Sequence, residues 1–192
     1  MDNTEDNTYP EKDRIRFKVL DALYSISSGY KHTFIPFDNL YKELKSKSNR
    51  DQELILESFE YLRNNGLVDS KALATASITH KGIKELESMV LGLSGRTSHI
   101  LSRTNPPLTN QHEIISIQNK RTEFLKKAYE LSQGSTRQPL SAFEIMDTLG
   151  YDQKTLERIY YYLEDEDLIK TFALGGKFTI TQKCIEQQQG NH

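Results

Sequence analysis

The chain has 192 residues, 36% of them apolar and 27% charged, a balance that belongs to a globular protein and excludes a disordered one. Its formal net charge of −2 counts against a protein that is basic throughout, while leaving room for a local basic patch. A single cysteine, Cys184, excludes an intrachain disulfide and a cysteine-built zinc cage, and no apolar run approaches the roughly 20 residues needed to span a bilayer. The start of the chain, Met1 to Asp6, is polar and acidic with no apolar stretch of a secretory leader, so a soluble cytoplasmic protein is expected.

In chain order, residues 1–13 read as a polar tail and 14–93 as a first domain. A first helix covers Val19 to Ser28-Gly29, with apolar residues at helical spacing. The proline-led connection Ile35-Pro36-Phe37 follows, then a short helix with Leu40 and Leu44. A third helix places Ile55, Phe59 and Leu62 on one buried face. Val68 to Ile78 is expected to form a hairpin, although it holds no glycine. Ile78 reads as the last strand, and Thr79 as the N-cap of a closing helix with Ile83, Leu86, Val90 and Leu93 on its stripe.

Residues 94–112 read as a linker, with Pro106-Pro107 barring a helix. Here the net charge is +2, from Arg96 and Arg103 with no acid. Residues 1–93 and 113–192 each sum to −2, so neither folded part is basic.

The second domain, 113–187, repeats the first. A long helix begins near Asn110, where Asn110 and Glu113 have the spacing of a capping box. Its expected stripe is Ile114, Ile117, Phe124 or Leu125, Ala128 and Leu131, with Arg121 where an apolar residue is expected. Phe124 to Gly134 matches Val19 to Gly29. Pro139-Leu140, Phe143, Ile145 and Leu149 match the second helix. Leu156, Ile159, Tyr160 and Leu163 match the third. Gly175-Gly176 lies between two β-prone arms, the signal of a hairpin turn. Ile180 and Thr181 then match Ile78 and Thr79, and 188–192 form a tail.

Helix, helix, helix, hairpin, helix, written twice, resembles the winged helix-turn-helix superfamily. The carrying segments are LESFEYLRNNGLVDS with SITHKGIKELE, and LERIYYYLEDEDLIKTFALGGKFTITQKCIE. The fold class is therefore expected to be mainly α with small β-hairpin wings, as tandem winged-helix-like domains. The resemblance implies double-stranded DNA as partner and a role as a transcriptional regulator. The start of each third helix would then meet base edges and the wing would meet phosphate. The candidates are Lys45, Lys47, Asn49, Arg50 and Gln52 in the first copy, with Gln153, Lys154, Arg158 and the wing residue Lys177 in the second.

The alternative is a protein-interaction adaptor that keeps this fold and meets a partner with a basic surface. Tyr161, Tyr162, Glu164 and Asp165 are its candidates, since tyrosine is common at binding hot spots. Ile114, Ile115 and Ile117 pack either within the chain or against a second copy in a homodimer. The acidic run from Glu164 to Asp167 is a poor metal site, because consecutive helical carboxylates diverge. Cys184 is either a packing cysteine or, if exposed at a helix start, a redox sensor. No phosphate-binding glycine loop or His-Glu-x-x-His is present, and His32, His80, His99, His112 and His192 are scattered. No catalytic residue, metal or cofactor is expected.

Overall fold

A computed structural model describes residues 9–71, 74–92, 111–172 and 176–190. The chain divides into two compact units, Met1–Gln111 and His112–His192. Both are mainly helical with a small antiparallel three-stranded sheet.

The first unit runs α1 (Tyr9–Ser27), β1 (Ile35–Pro36), α2 (Phe37–Glu43), α3 (Asn49–Asn64), β2 (Val68–Asp69), β3 (Thr75–Ile78) and α4 (His80–Val90). The sheet order is β1-β3-β2, with Ile35 opposite Ala76 and Val68 opposite Ile78. The second unit repeats the order: α5 (Gln111–Ser132), β4 (Leu140–Ser141), α6 (Ala142–Leu149), α7 (Gln153–Asp165), β5 (Ile169–Thr171), β6 (Lys177–Ile180) and α8 (Gln182–Gly190). Its sheet order is β4-β6-β5, with Leu140 opposite Phe178 and Ile169 opposite Ile180. The first strands, β1 and β4, are additions to the expected elements. At two residues each they carry no alternating pattern of their own, and pairing to the hairpin makes them strands.

The expected stripes are buried, except that Leu44, Leu149 and Tyr160 are half-buried and two residues are exposed. Leu131 is 41% exposed, because it lies at the edge of a face set by Arg121, Leu125, Ala128 and Ser132, all buried. Phe143 is 47% exposed; the face of α6 is set by Ala142 and Ile145, and the Phe143 ring instead lies over Gly176 of the hairpin. Ile114 is buried and Ile117 joins the core of the second unit, where Phe124 and Phe178 stack at 5.7 Å. Ile115, 39% exposed, is the one residue of this trio open to a second copy. Burying each such large apolar side chain contributes about 1.5–3 kcal/mol. Asn110, Leu93, the prolines and arginines of the linker, and Gly175 lie outside the described residues.

The third helix of each unit ends in the same turn. Leu67 N–H donates to Leu62 O at 2.9 Å, and Thr79 N–H donates to Leu67 O at 3.1 Å; Leu168, Leu163 and Thr181 repeat both bonds at the same lengths. The turn needs a left-handed residue, supplied by Gly66 (φ +71°) and by Asp167 (φ +56°), aspartate being one of the few side chains that tolerate this region. Thr79 Oγ1 accepts from Gly82 N–H at 3.0 Å and donates to Gly66 O at 2.7 Å, so one hydroxyl caps α4 and closes the turn. Thr181 does the same with Cys184 and Asp167.

Gly82 is fixed by space. A Cβ there would stand 2.0 Å from Leu67 O, a backbone atom that cannot step aside without breaking the turn. Gly82→Ala is expected to lower stability by about 2 kcal/mol in urea denaturation followed by circular dichroism, the scale of overpacking. An unchanged midpoint would mean that α4 is not held against Leu67.

Candidate functional site

The outer faces of α3 and α7 hold most of the candidate residues. At the start of α3, Ser48 is the N-cap and Asp51 closes a capping box. Asp51 N–H donates to Ser48 Oγ at 3.2 Å, and Asp51 Oδ2 accepts from Lys47 N–H at 2.8 Å and Ser48 N–H at 3.0 Å. The Lys47 backbone bond first, and the Ser48 side chain next, hold the Asp51 carboxyl below its ordinary range. The acid is thereby committed to the helix start. Around it Lys45, in a left-handed turn (φ +52°), Lys47, Asn49, Arg50 and Gln52 all reach solvent, so the structure brings all five first-copy candidates to one corner.

Beyond that corner the face of α3 changes sign. Glu53 and Glu57 are exposed, Glu60 pairs with Arg63 at 2.6 Å, and Leu56 is 44% exposed between them. These acids line a groove of about 610 Å³ between α1 and α3, together with Lys12 and Arg16 and the apolar Ile15, Leu54 and Tyr61. Arg16 crosses from α1 to lie 3.4 Å from the centre of the Tyr61 ring, with its guanidinium on Asp13 at 2.8 Å.

On α7, Asp152 caps the helix by accepting from Thr155 N–H at 2.7 Å; the Thr155 backbone bond, then its side chain, lower the carboxyl. Lys154 is exposed, and Gln153 donates along the helix to Glu157 at 3.0 Å. Arg158 departs from expectation. Its side chain is only 10% exposed and donates from Nη1 to Glu113 on α5 at 3.0 Å, so it is turned into the α5–α7 seam rather than toward a base edge. Its Nε and Nη2 are buried and make no hydrogen bond. Lys177 is exposed on β6, and its carbonyl accepts from Tyr160 Oη at 3.1 Å and from Phe172 N–H at 3.0 Å.

The alternative set is largely structural. Tyr162 packs on the core, with the guanidinium of the buried Arg121 lying 3.4 Å from its ring centre. Tyr161 is half-buried and meets Tyr160 edge-on at 6.3 Å. Burial, and then the nearby Glu164, push the Tyr160 hydroxyl up to about 12. Glu164 accepts from the Thr171 hydroxyl, while Asp165 is exposed. The helix end is offset by Lys183 Nζ, which donates to Glu166 O at 2.6 Å; Lys81 does the same for Asn65 O at 2.9 Å. Cys184 is fully buried, and burial pushes its thiol up to about 11, the state of a packing cysteine. Among the described residues no three histidines, cysteines or carboxylates gather as a metal site, and no helix is long and apolar enough to cross a membrane.

The sequence reading missed the acidic outer face of α3. Glu53, Glu57 and Glu60 with Leu56 follow helical spacing on the side opposite Ile55, Phe59 and Leu62, so the signal was there in the wheel. No protein-family model, characterised protein or solved structure matches the chain.

Two outcomes follow from this chemistry. The Asp51 and Asp152 carboxyls titrate below their ordinary 3.8 in the folded chain. Their contribution is present above that value and is lost as pH falls through the lowered folded values. Asp51→Asn with Asp152→Asn should therefore flatten the acid limb of a stability curve measured from about pH 5 down to about pH 2; an unaltered limb would assign acid sensitivity elsewhere. For the stacked pair, a double-mutant cycle of Arg121→Met and Tyr162→Leu should show about 1–2 kcal/mol of coupling. The Arg16–Tyr61 cycle should show less, because Arg16 keeps 16% side-chain exposure. Equal couplings would mean that burial does not set the strength of the stack.

Proposed function

We propose that the two units are winged helices in tandem and that the chain is a protein-interaction adaptor rather than a DNA reader. The helix order and the β1-β3-β2 and β4-β6-β5 sheets support the winged-helix part, because this arrangement leaves the third helix of each unit with an open outer face. The observation that carries the adaptor part is the chemistry of that face on α3. Glu53 and Glu57 with the exposed Leu56 occupy the surface that a recognition helix would press into the major groove, beside phosphates that repel them. In the second unit α7 adds no basic face, since Arg158 is held by Glu113 and the outer side of α7 mixes Lys154 with Glu157, Tyr161 and Asp165.

One observation favours the second reading, a DNA-binding regulator. Lys45, Lys47, Asn49, Arg50 and Gln52 gather at the start of α3, the end by which recognition helices dock, and the capping box removes Asp51 from competition. Arginine there can read guanine, and asparagine or glutamine adenine.

Binding to random-sequence duplex DNA over a salt series separates the two. The adaptor reading expects no salt-sensitive binding by the wild type even at about 50 mM salt, and its appearance in Glu53→Lys/Glu57→Lys, because only the acids bar phosphate. Wild-type binding that falls steeply with salt, and is lost in Lys45→Ala/Lys47→Ala/Arg50→Ala, would replace the adaptor reading with the DNA reading.

A further inference from the structure

We infer that the groove between α1 and α3 receives a basic amphipathic helix of a partner protein, which sets a cation on Glu57 and an apolar side chain against Leu56 and Ile15. The inference rests on the adaptor reading and names the class of partner.

Position by position, the two units differ in how the seam between first and third helix is filled. Arg16 and Arg121 are matched by their stacks on Tyr61 and Tyr162. Counting from those matched residues, Glu57 stands where Arg158 stands, and Lys12 where Ile117 stands. In the second unit the seam is filled from within. The first turns of α5 bring Glu113 to Arg158 at 3.0 Å and bury Ile117 in the core. The first unit has the opposite charge on the third helix, Glu57, and a lysine in place of the apolar plug. There the seam is an open groove of about 610 Å³. Lys12 and Arg16 line the groove too, with Arg16 committed to Asp13 and Tyr61. An occupant that repeats the second unit's contact, with the sign of the ion pair reversed, brings a cation to Glu57, with Glu53 on the same face, and an apolar group beside Leu56.

The filler in the second unit is a helical turn lying along the third helix, and a groove between two helices suits a helix in the same way. Leu56, 44% exposed, gives the apolar face of such a helix a surface to pack on. The segment that precedes α1 is the wrong occupant on charge. Residues 1–8 carry Asp2, Glu5 and Asp6 with no lysine or arginine, so their charge does not complement Glu53 and Glu57.

The test uses the full chain and two fluorescein-labelled amphipathic peptides of about 18 residues, five helical turns. One is made of leucine and lysine, the other of leucine and glutamate. Anisotropy should show the leucine–lysine peptide binding the wild type about tenfold or more tighter than Glu53→Lys/Glu57→Lys, with the order reversed for the leucine–glutamate peptide. Leu56→Ser should weaken the first peptide while leaving the circular dichroism spectrum unchanged. Amide shift changes on binding should concentrate at Ile15, Leu54, Leu56 and Tyr61.

Affinity indifferent to the charge reversal would overturn the inference. So would shift changes centred on α7, although the adaptor reading would then stand with a different surface. Peptide binding that appears only once Arg96 and Arg103 are changed to glutamate would mean that the chain's own basic segment occupies the groove, and would overturn the partner. Salt-sensitive DNA binding by the wild type, measured separately, would remove the adaptor reading itself.

Discussion

An arginine laid flat on a tyrosine ring ties the first helix to the third in both units, and much of the remaining geometry follows from it. Arg16 on Tyr61 and Arg121 on Tyr162 both sit 3.4 Å from the ring centre. A planar guanidinium can stack in a way that an ammonium cannot, so lysine would not reproduce this contact at either place. On the amino-terminal side of that contact the two units differ in what lies between the helices. Whatever lies there must be filled by side chains or left open. The second unit fills it with Glu113, Ile117 and Arg158; the first leaves a groove. The open surface is thus a consequence of a shared core contact combined with unshared flanking residues.

The carboxyl ends of the third helices show the same division between fixed frame and variable face. Both turns use the same backbone bonds, the same threonine hydroxyl and a lysine reaching back to the helix end. Within that frame one chain position is Gly66 and its counterpart Asp167, and another is Gly82 and its counterpart Cys184. A left-handed turn admits glycine freely and aspartate at some cost. The close approach at Gly82 admits no side chain, whereas Cys184 fits its place with its thiol buried. The two turns therefore hold the same hydrogen bonds with different tolerance for substitution.

Much of this frame was legible in the sequence because it repeats. Val19 to Gly29 against Phe124 to Gly134, Thr79 against Thr181, and the three apolar helix stripes each report a local rule twice, and local rules are what sequence patterns record. Other features were legible only in part. Arg121 was visible as a polar residue on an apolar face, but its partner Tyr162 lies on another helix, and no spacing links them. The buried Glu87, which accepts from the Tyr24 hydroxyl at 3.1 Å, has the same cause, as a contact between residues far apart in the chain. β1 and β4 were invisible because two residues carry no period. Arg158 was misplaced because its charge suggested solvent, while its neighbour Glu113 drew it inward.

The placement of charge explains why the net value of −2 says so little by itself. Asp51 and Asp152 are bound to helix starts, Glu113 and Arg158 to each other, Glu164 to a threonine, and Glu60 to Arg63. Charges so committed hold the fold and present little to a partner. Along α3 the exposed charges, beyond the Glu60–Arg63 pair, are the cations around Lys45 to Arg50 at its start and then the acids Glu53 and Glu57, a polarised strip along one helix with a leucine beside the acids. A polyanion would be drawn to one end of that strip and repelled by the next turn. A basic amphipathic helix would meet its complement along the acidic turns and the groove beside them, and for that reason the same residues that argue against a nucleic acid argue for a protein.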